Sequence, residues 1–114
     1  MDEAVKLQKC FQTLADTNRL RIIKEIGERE VSVSEIVRNT GLSQPLVSFH
    51  LRILRDRNFL ETKRQGPFVF YKLKDEKLLP TLGLFAEIAK STSGGEEGKM
   101  MFRCPPFWMK RFKR

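Results

Sequence analysis

The run Gly41-Leu42-Ser43-Gln44-Pro45 constrains this chain more than any other, because it places a helix stop and a helix start side by side. A glycine ends a helix readily, since it takes the left-handed conformation without a Cβ penalty. Ser43 then stands as an N-cap, with a hydroxyl able to accept an orphan backbone N–H. Pro45 falls in the first helical turn, where a missing N–H costs little. Beyond it, Val47, Leu51 and Leu54 recur at i, i+4 and i+7 and predict one apolar face. Gln44, Ser48 and Arg52 recur every four residues on another side. Two helices joined this tightly read as a helix-turn-helix. Amide, hydroxyl and guanidinium groups on the front of the second helix are the groups that read base edges in a major groove. An ordinary amphipathic surface helix has the same periodicity, so the rest of the chain must decide.

Upstream, residues 5–14 predict a helix with Leu7, Cys10, Phe11 and Leu14 on one face. Asp16 is spaced as an N-cap for a second helix, whose inner side is Leu20, Ile23 and Ile26. Val31-Ser32-Val33 reads as a short strand or an extended entry. Ser32 and Glu35 have the Ser-x-x-Glu spacing of a capping box, so a third helix is expected over residues 33–40, ending at Gly41. The helix after the turn is expected to end near Asn58. Residues 60–64 and 68–73 are rich in β-branched and aromatic side chains and read as a hairpin turning at Gln65-Gly66-Pro67. A hairpin directly after a helix-turn-helix is a wing, and Lys63, Arg64 and Gln65 at its tip can reach a phosphate or the minor groove. A solvated hairpin tip has the same composition. Residues 75–90 predict a last helix with a broad apolar side of Leu78, Leu79, Leu82, Phe85, Ile88 and Ala89, and with Pro80 near its start.

The expected fold class is mainly α with a small β-hairpin wing, in the order α-α-α-α-β-β-α. The 114 residues suffice for one core, so residues 1–90 are read as one domain, 91–99 as a flexible polar linker and 100–114 as a basic aromatic tail. The net charge of +8 favours a polyanionic partner, but the tail alone supplies five of those charges. Three readings of the tail stand side by side. It can add phosphate contacts, lie on an anionic membrane surface, or fold back with Phe102, Phe107 and Trp108 buried. No apolar run approaches the ~20 residues of a membrane-spanning helix, and no membrane partner is expected. The start Met1-Asp2-Glu3 is acidic and no apolar signal segment follows, so a cytoplasmic location is expected.

Three ordered stretches resemble the ArsR-type winged-helix repressors. They are Leu14-Ala15-Asp16-x-x-Arg19-Leu20-Arg21-Ile22, then Gly41-Leu42-Ser43-Gln44-Pro45-x-Val47-Ser48-x-His50-Leu51-x-x-Leu54, then Gly66 with Phe70-Tyr71-x-Leu73. The resemblance spans about residues 4–90 and does not reach the tail. It implies a homodimer, paired through its first and last helices, on a double-stranded DNA operator with two-fold character. It also implies release of the DNA by an inducer, whose identity the sequence leaves unknown. Ser43, Gln44, Pro45, Ser48, Phe49, His50 and Arg52 are the expected DNA-binding residues of the recognition helix, and Arg64 and Gln65 those of the wing.

The chain departs from that family at the switch. Many members sense metal through Cys-x-Cys before the recognition helix, and here the run is Val31-Ser32-Val33-Ser34-Glu35. Serine is a poor ligand for thiophilic metals. The last helix has no histidine for the family's second metal site. No metal and no cofactor are therefore expected. His50 is the single histidine, with two readings: a base-edge or phosphate contact, or a hydrogen bond that orients the helix. Phe49 can pack on a thymine methyl or rest against the protein. Cys10 and Cys104 are a candidate redox pair. Cys10 also reads as a small buried hydrophobe, and Cys104, beside Arg103, as the more thiolate-prone of the two. With no nucleophile–base–orienter set and no phosphate loop, an enzyme is not expected. Two function classes remain: a sequence-specific DNA-binding regulator, and a winged-helix module that binds other proteins and touches DNA only non-specifically.

Overall fold

The structure, a computed structural model, describes residues 2–92. Helix α1 (Glu3–Leu14) starts at Asp2, whose carboxylate accepts the Ala4 N–H at 3.3 Å. It begins two residues before the apolar pattern does, because an acidic cap and Glu3 suit the positive end of the helix dipole. Helix α2 (Thr17–Ile26) is capped as expected by Asp16, which accepts the Arg19 N–H at 3.0 Å. Strand β1 (Val31–Ser32) runs directly into α3 (Val33–Thr40), and Ser32 Oγ accepts the Glu35 N–H at 3.2 Å. The Glu35 carboxylate accepts from Arg29 Nη1 at 2.8 Å. After the turn come α4 (Gln44–Asp56), β2 (Leu60–Gln65) and β3 (Phe68–Leu73). Last is α5 (Leu78–Thr92).

The winged helix-turn-helix is thus present, with one strand more than the expected order contains. The sheet is antiparallel in the order β1-β3-β2, with Val31 opposite Tyr71 and Leu60 opposite Leu73. α5 begins at Leu78 rather than at residue 75. Pro80 explains the shift: it has no N–H to donate, so it fits the first turn, where backbone donors have no partner in the helix.

Two compact units divide the chain, residues 1–75 and the segment that begins at Glu76. In the first, Ile22, Ile23 and Ile26 of α2, Val31 of β1, Ile36 of α3 and Val47, Leu51 and Leu54 of α4 are buried to 1% exposure or less. α4 is therefore seated on α2, α3 and β2. In the second, α5 carries buried Leu79, Leu82 and Ala86 and exposed Leu84, Phe85 and Ile88. Ser91 and Thr92, expected to start the linker, still belong to α5. The rest of the linker and the whole tail lie outside the described residues.

Candidate nucleic-acid interface

Gly41 adopts φ +76°, ψ 3°, the left-handed conformation its place in the sequence requires. Its N–H donates to Val37 O at 2.9 Å. Thr40 Oγ1 donates to Ile36 O at 2.7 Å and accepts the Leu42 N–H at 3.2 Å. Ser43 Oγ accepts the Leu46 N–H at 3.3 Å, which opens α4. The turn thus satisfies its own backbone groups and fixes the angle at which α4 leaves α3.

Along α4, Val47, Leu51 and Leu54 point inward and are completely or almost completely buried. Gln44, Pro45, Ser48, Phe49 and Arg52 are exposed, and Ser43 is exposed at the entrance. The polar front and apolar back read from spacing are both present. The amide of Gln44, the hydroxyl of Ser48 and the guanidinium of Arg52 can donate or accept along one solvent-facing strip. Phe49 is 53% exposed, and its ring meets the His50 ring edge-on with centroids 5.2 Å apart. The ring thus both faces solvent and touches the protein through His50.

His50 is the exception among the expected contacts. It is only 5% exposed and lies on the inward side of α4, so it does not present its ring to a groove. The physical reason is helical arithmetic: position 50 is three residues from Val47 and four from Leu54, inside the buried stripe. Its Nδ1 lies 3.3 Å from Arg19 Nη1 and its Nε2 lies 4.0 Å from Asp16 Oδ1. Arg19 also donates from Nε to the Thr13 carbonyl at 2.6 Å. Burial, with the Arg19 cation, holds the imidazole below its ordinary pKa of 6.5 against the pull of Asp16. Partial burial pushes the Asp16 carboxyl up, but the Arg19 N–H, the charges of His50 and Arg19 and the Asn18 N–H together hold it below 3.8. Arg19 was not among the expected site residues. The signal that could have found it is the second-helix stretch Asp16-x-x-Arg19 read together with a histidine at a buried position.

At the wing, Arg64 and Gln65 are both exposed and, being adjacent in β2, lie on opposite faces of the hairpin. Lys63 reaches back to Glu30, with Nζ 3.3 Å from the carboxylate. Phe68, beside the turn, is 62% exposed, and its ring centroid lies 6.4 Å from that of Phe70. Among the described residues no three His, Cys, Asp or Glu side chains converge as a metal site. Cys10 is half-buried on α1 with a free thiol, and Cys104 lies outside the described residues. No helix of the described residues is long and apolar enough to cross a membrane.

Known proteins share this arrangement. Residues 16–62 match the profile of bacterial regulatory proteins of the arsR family, a span that holds α2, the helix-turn-helix and the start of the wing. Over 75 residues the chain is 35% identical to the HTH-type transcriptional regulator KmtR of Mycobacterium tuberculosis, covering 66% of this chain but only 58% of that relative. It is 32% identical over 74 residues to the arsenical resistance operon repressor of Bacillus subtilis, covering 65% of this chain and 70% of that one. Among solved structures, the transcriptional regulator HlyU of Vibrio vulnificus superposes with a TM-score of 0.62 at 31% identity, over 75% of this chain and 86% of that chain.

Proposed function

Since this chain belongs to the ArsR family of bacterial regulatory proteins, we propose that it is a sequence-specific DNA-binding repressor, acting in the cytoplasm as a homodimer on an operator with two-fold character. The observation that carries the reading is the strip Gln44, Ser48 and Arg52, exposed on a helix whose opposite side is locked into the core. In a dimer, two such helices one turn of B-DNA apart, about 34 Å, meet successive major grooves on one side of the duplex. Arg64 and Gln65 of each wing then reach the flanking backbone or minor groove. Exposed apolar residues on α1 (Val5, Leu7, Phe11) and on α5 (Leu84, Phe85, Ile88) supply each helix with a surface to bury against a second copy. The switch differs from that of metal-sensing relatives, because Ser32 and Ser34 stand at the thiol positions and the Ser32 hydroxyl caps α3.

The test is a footprint and a binding series on the DNA upstream of the chain's own gene. A protected inverted repeat is expected. Gln44→Ala or Ser48→Ala should weaken that site by ~1–3 kcal/mol per lost base contact and leave random duplex nearly unchanged. Equal losses on both duplexes would show that the strip does not read sequence and would favour the protein-binding alternative.

A further inference from the structure

Resting on the DNA-binding reading above, we propose that His50 is a positioning residue whose neutral ring ties the recognition helix to the start of α2, so that acidification loosens operator binding. Three observations meet there. His50 is the buried polar member of the inward stripe of α4. Arg19, 31 residues away in sequence, donates to the Thr13 carbonyl at 2.6 Å and faces His50 Nδ1 at 3.3 Å, joining the end of α1, the start of α2 and α4 at one point. Asp16 caps α2 on the Arg19 N–H at 3.0 Å and stands 4.0 Å from the other ring nitrogen.

The chemistry of these groups fixes the tautomer. A guanidinium has only donors, so the hydrogen bond requires Nδ1 to be the acceptor and the ring proton to sit on Nε2. The charges agree: a cation lies on the Nδ1 side and a carboxylate on the Nε2 side. A proton taken up from water therefore lands on Nδ1. It removes the acceptor and sets an N–H against the Arg19 N–H, cation facing cation. Asp16 at 4.0 Å is the group that pulls the other way. Of the elements packed on α4, α2 and its cap supply both charges that act on the ring, Arg19 and Asp16. Among the described residues α3 and β2 add none to that balance. Phe49 adjoins the ring edge-on at 5.2 Å, so a ring that turns also disturbs an exposed side chain of the DNA-facing surface.

The experiment is paired. Nitrogen-15 NMR of the wild-type protein without DNA reads the His50 tautomer and its titration. Fluorescence anisotropy at constant ionic strength reads binding to the protected repeat and to random duplex from pH 7.5 down through the His50 titration that the NMR finds. The expected result is an Nε2–H ring, and specific affinity that falls about tenfold as the ring titrates, the size of one lost charge-assisted hydrogen bond. His50→Gln, whose amide oxygen accepts from Arg19 but does not titrate, should keep a flat profile over the same range. Arg19→Met, which removes the cation, should move the ring's titration to higher pH in the free protein. An Nδ1–H ring, or equal pH slopes for the wild type and His50→Gln, would overturn the proposal. Absence of specific binding by the wild type at pH 7.5 would overturn the DNA-binding reading instead, and the tautomer would still decide the Arg19–His50 contact. Should His50→Gln fail to fold, the wild-type tautomer and the Arg19→Met titration carry the test.

Discussion

At the residue scale, the pH dependence of stability isolates the buried polar knot. His50 is held below 6.5 in the fold, while in the unfolded chain it titrates near that value. Between the two, the unfolded chain binds more protons. The contribution of His50 is thus complete above pH 6.5 and is lost as pH falls through its folded value. Asp16 behaves likewise in a lower window, complete above 3.8 and lost as pH falls through its depressed value. Denaturant unfolding at pH 7.5 and 5.5 should show the wild type losing stability and His50→Gln losing less; equal losses would place the titrating group elsewhere. The same residue marks the limit of reading a sequence. Gln44, Ser48 and Arg52 were legible as a solvent-facing strip because exposure follows from helical period alone. For His50 the sequence leaves a groove contact and a helix-orienting hydrogen bond side by side; the period that buries Val47, Leu51 and Leu54 also buries residue 50, which favours the second. Its partner Arg19 lies 31 residues away, a separation that no local pattern encodes.

Elements were legible where their ends are settled locally. Asp16, Ser32 and Ser43 each cap the helix that follows them, through hydrogen bonds of 3.0 to 3.3 Å to backbone N–H groups three residues on. Gly41 stops α3 by a backbone conformation that needs no distant partner. A Cβ at Gly41 would meet nothing within 4 Å, so Gly41→Ala tests the conformation alone. It should lower the unfolding free energy by about 1 kcal/mol, read by denaturant titration, the strain of a left-handed φ on a residue with a Cβ. No measurable change would mean that the turn relaxes out of that conformation. β1 was ambiguous in the sequence for the opposite reason. Two residues form a strand only because Tyr71 and Phe70 pair with them, some forty positions later. The start of α5 differs from the expected residue 75 because Asp75-Glu76-Lys77 carry no apolar side chain, and both the apolar run and the first turn that accommodates Pro80 begin at Leu78.

At the scale of the whole molecule, the dimer is the assertion most open to measurement. Leu7 is about half exposed on α1, beside Ala4, Gln8 and Phe11 along a shallow apolar groove. Leu7→Glu puts a charge where a second copy would bury an apolar side chain. It should halve the mass seen in sedimentation and weaken the operator complex, while a single protomer remains folded by circular dichroism. An unchanged mass would exclude α1 from the interface. The cysteines bear on the same level only in part, since Cys10 sits half-buried on α1 and Cys104 belongs to the segment outside the described residues.

The short strand β1 has a consequence for how the wing is held. It stitches the return strand of the wing to the residues that open α3, on the chain that leads into the recognition helix. The hairpin is thereby splinted midway along β3, at Phe70 and Tyr71, while its tip, Gln65 to Phe68, lies outside that pairing. Residues added at the tip would lie beyond the β1–β3 pairing. The fold therefore contains a set square: β1 braces the return strand of the wing against the chain that leads into α4, and the turn lies beyond that brace.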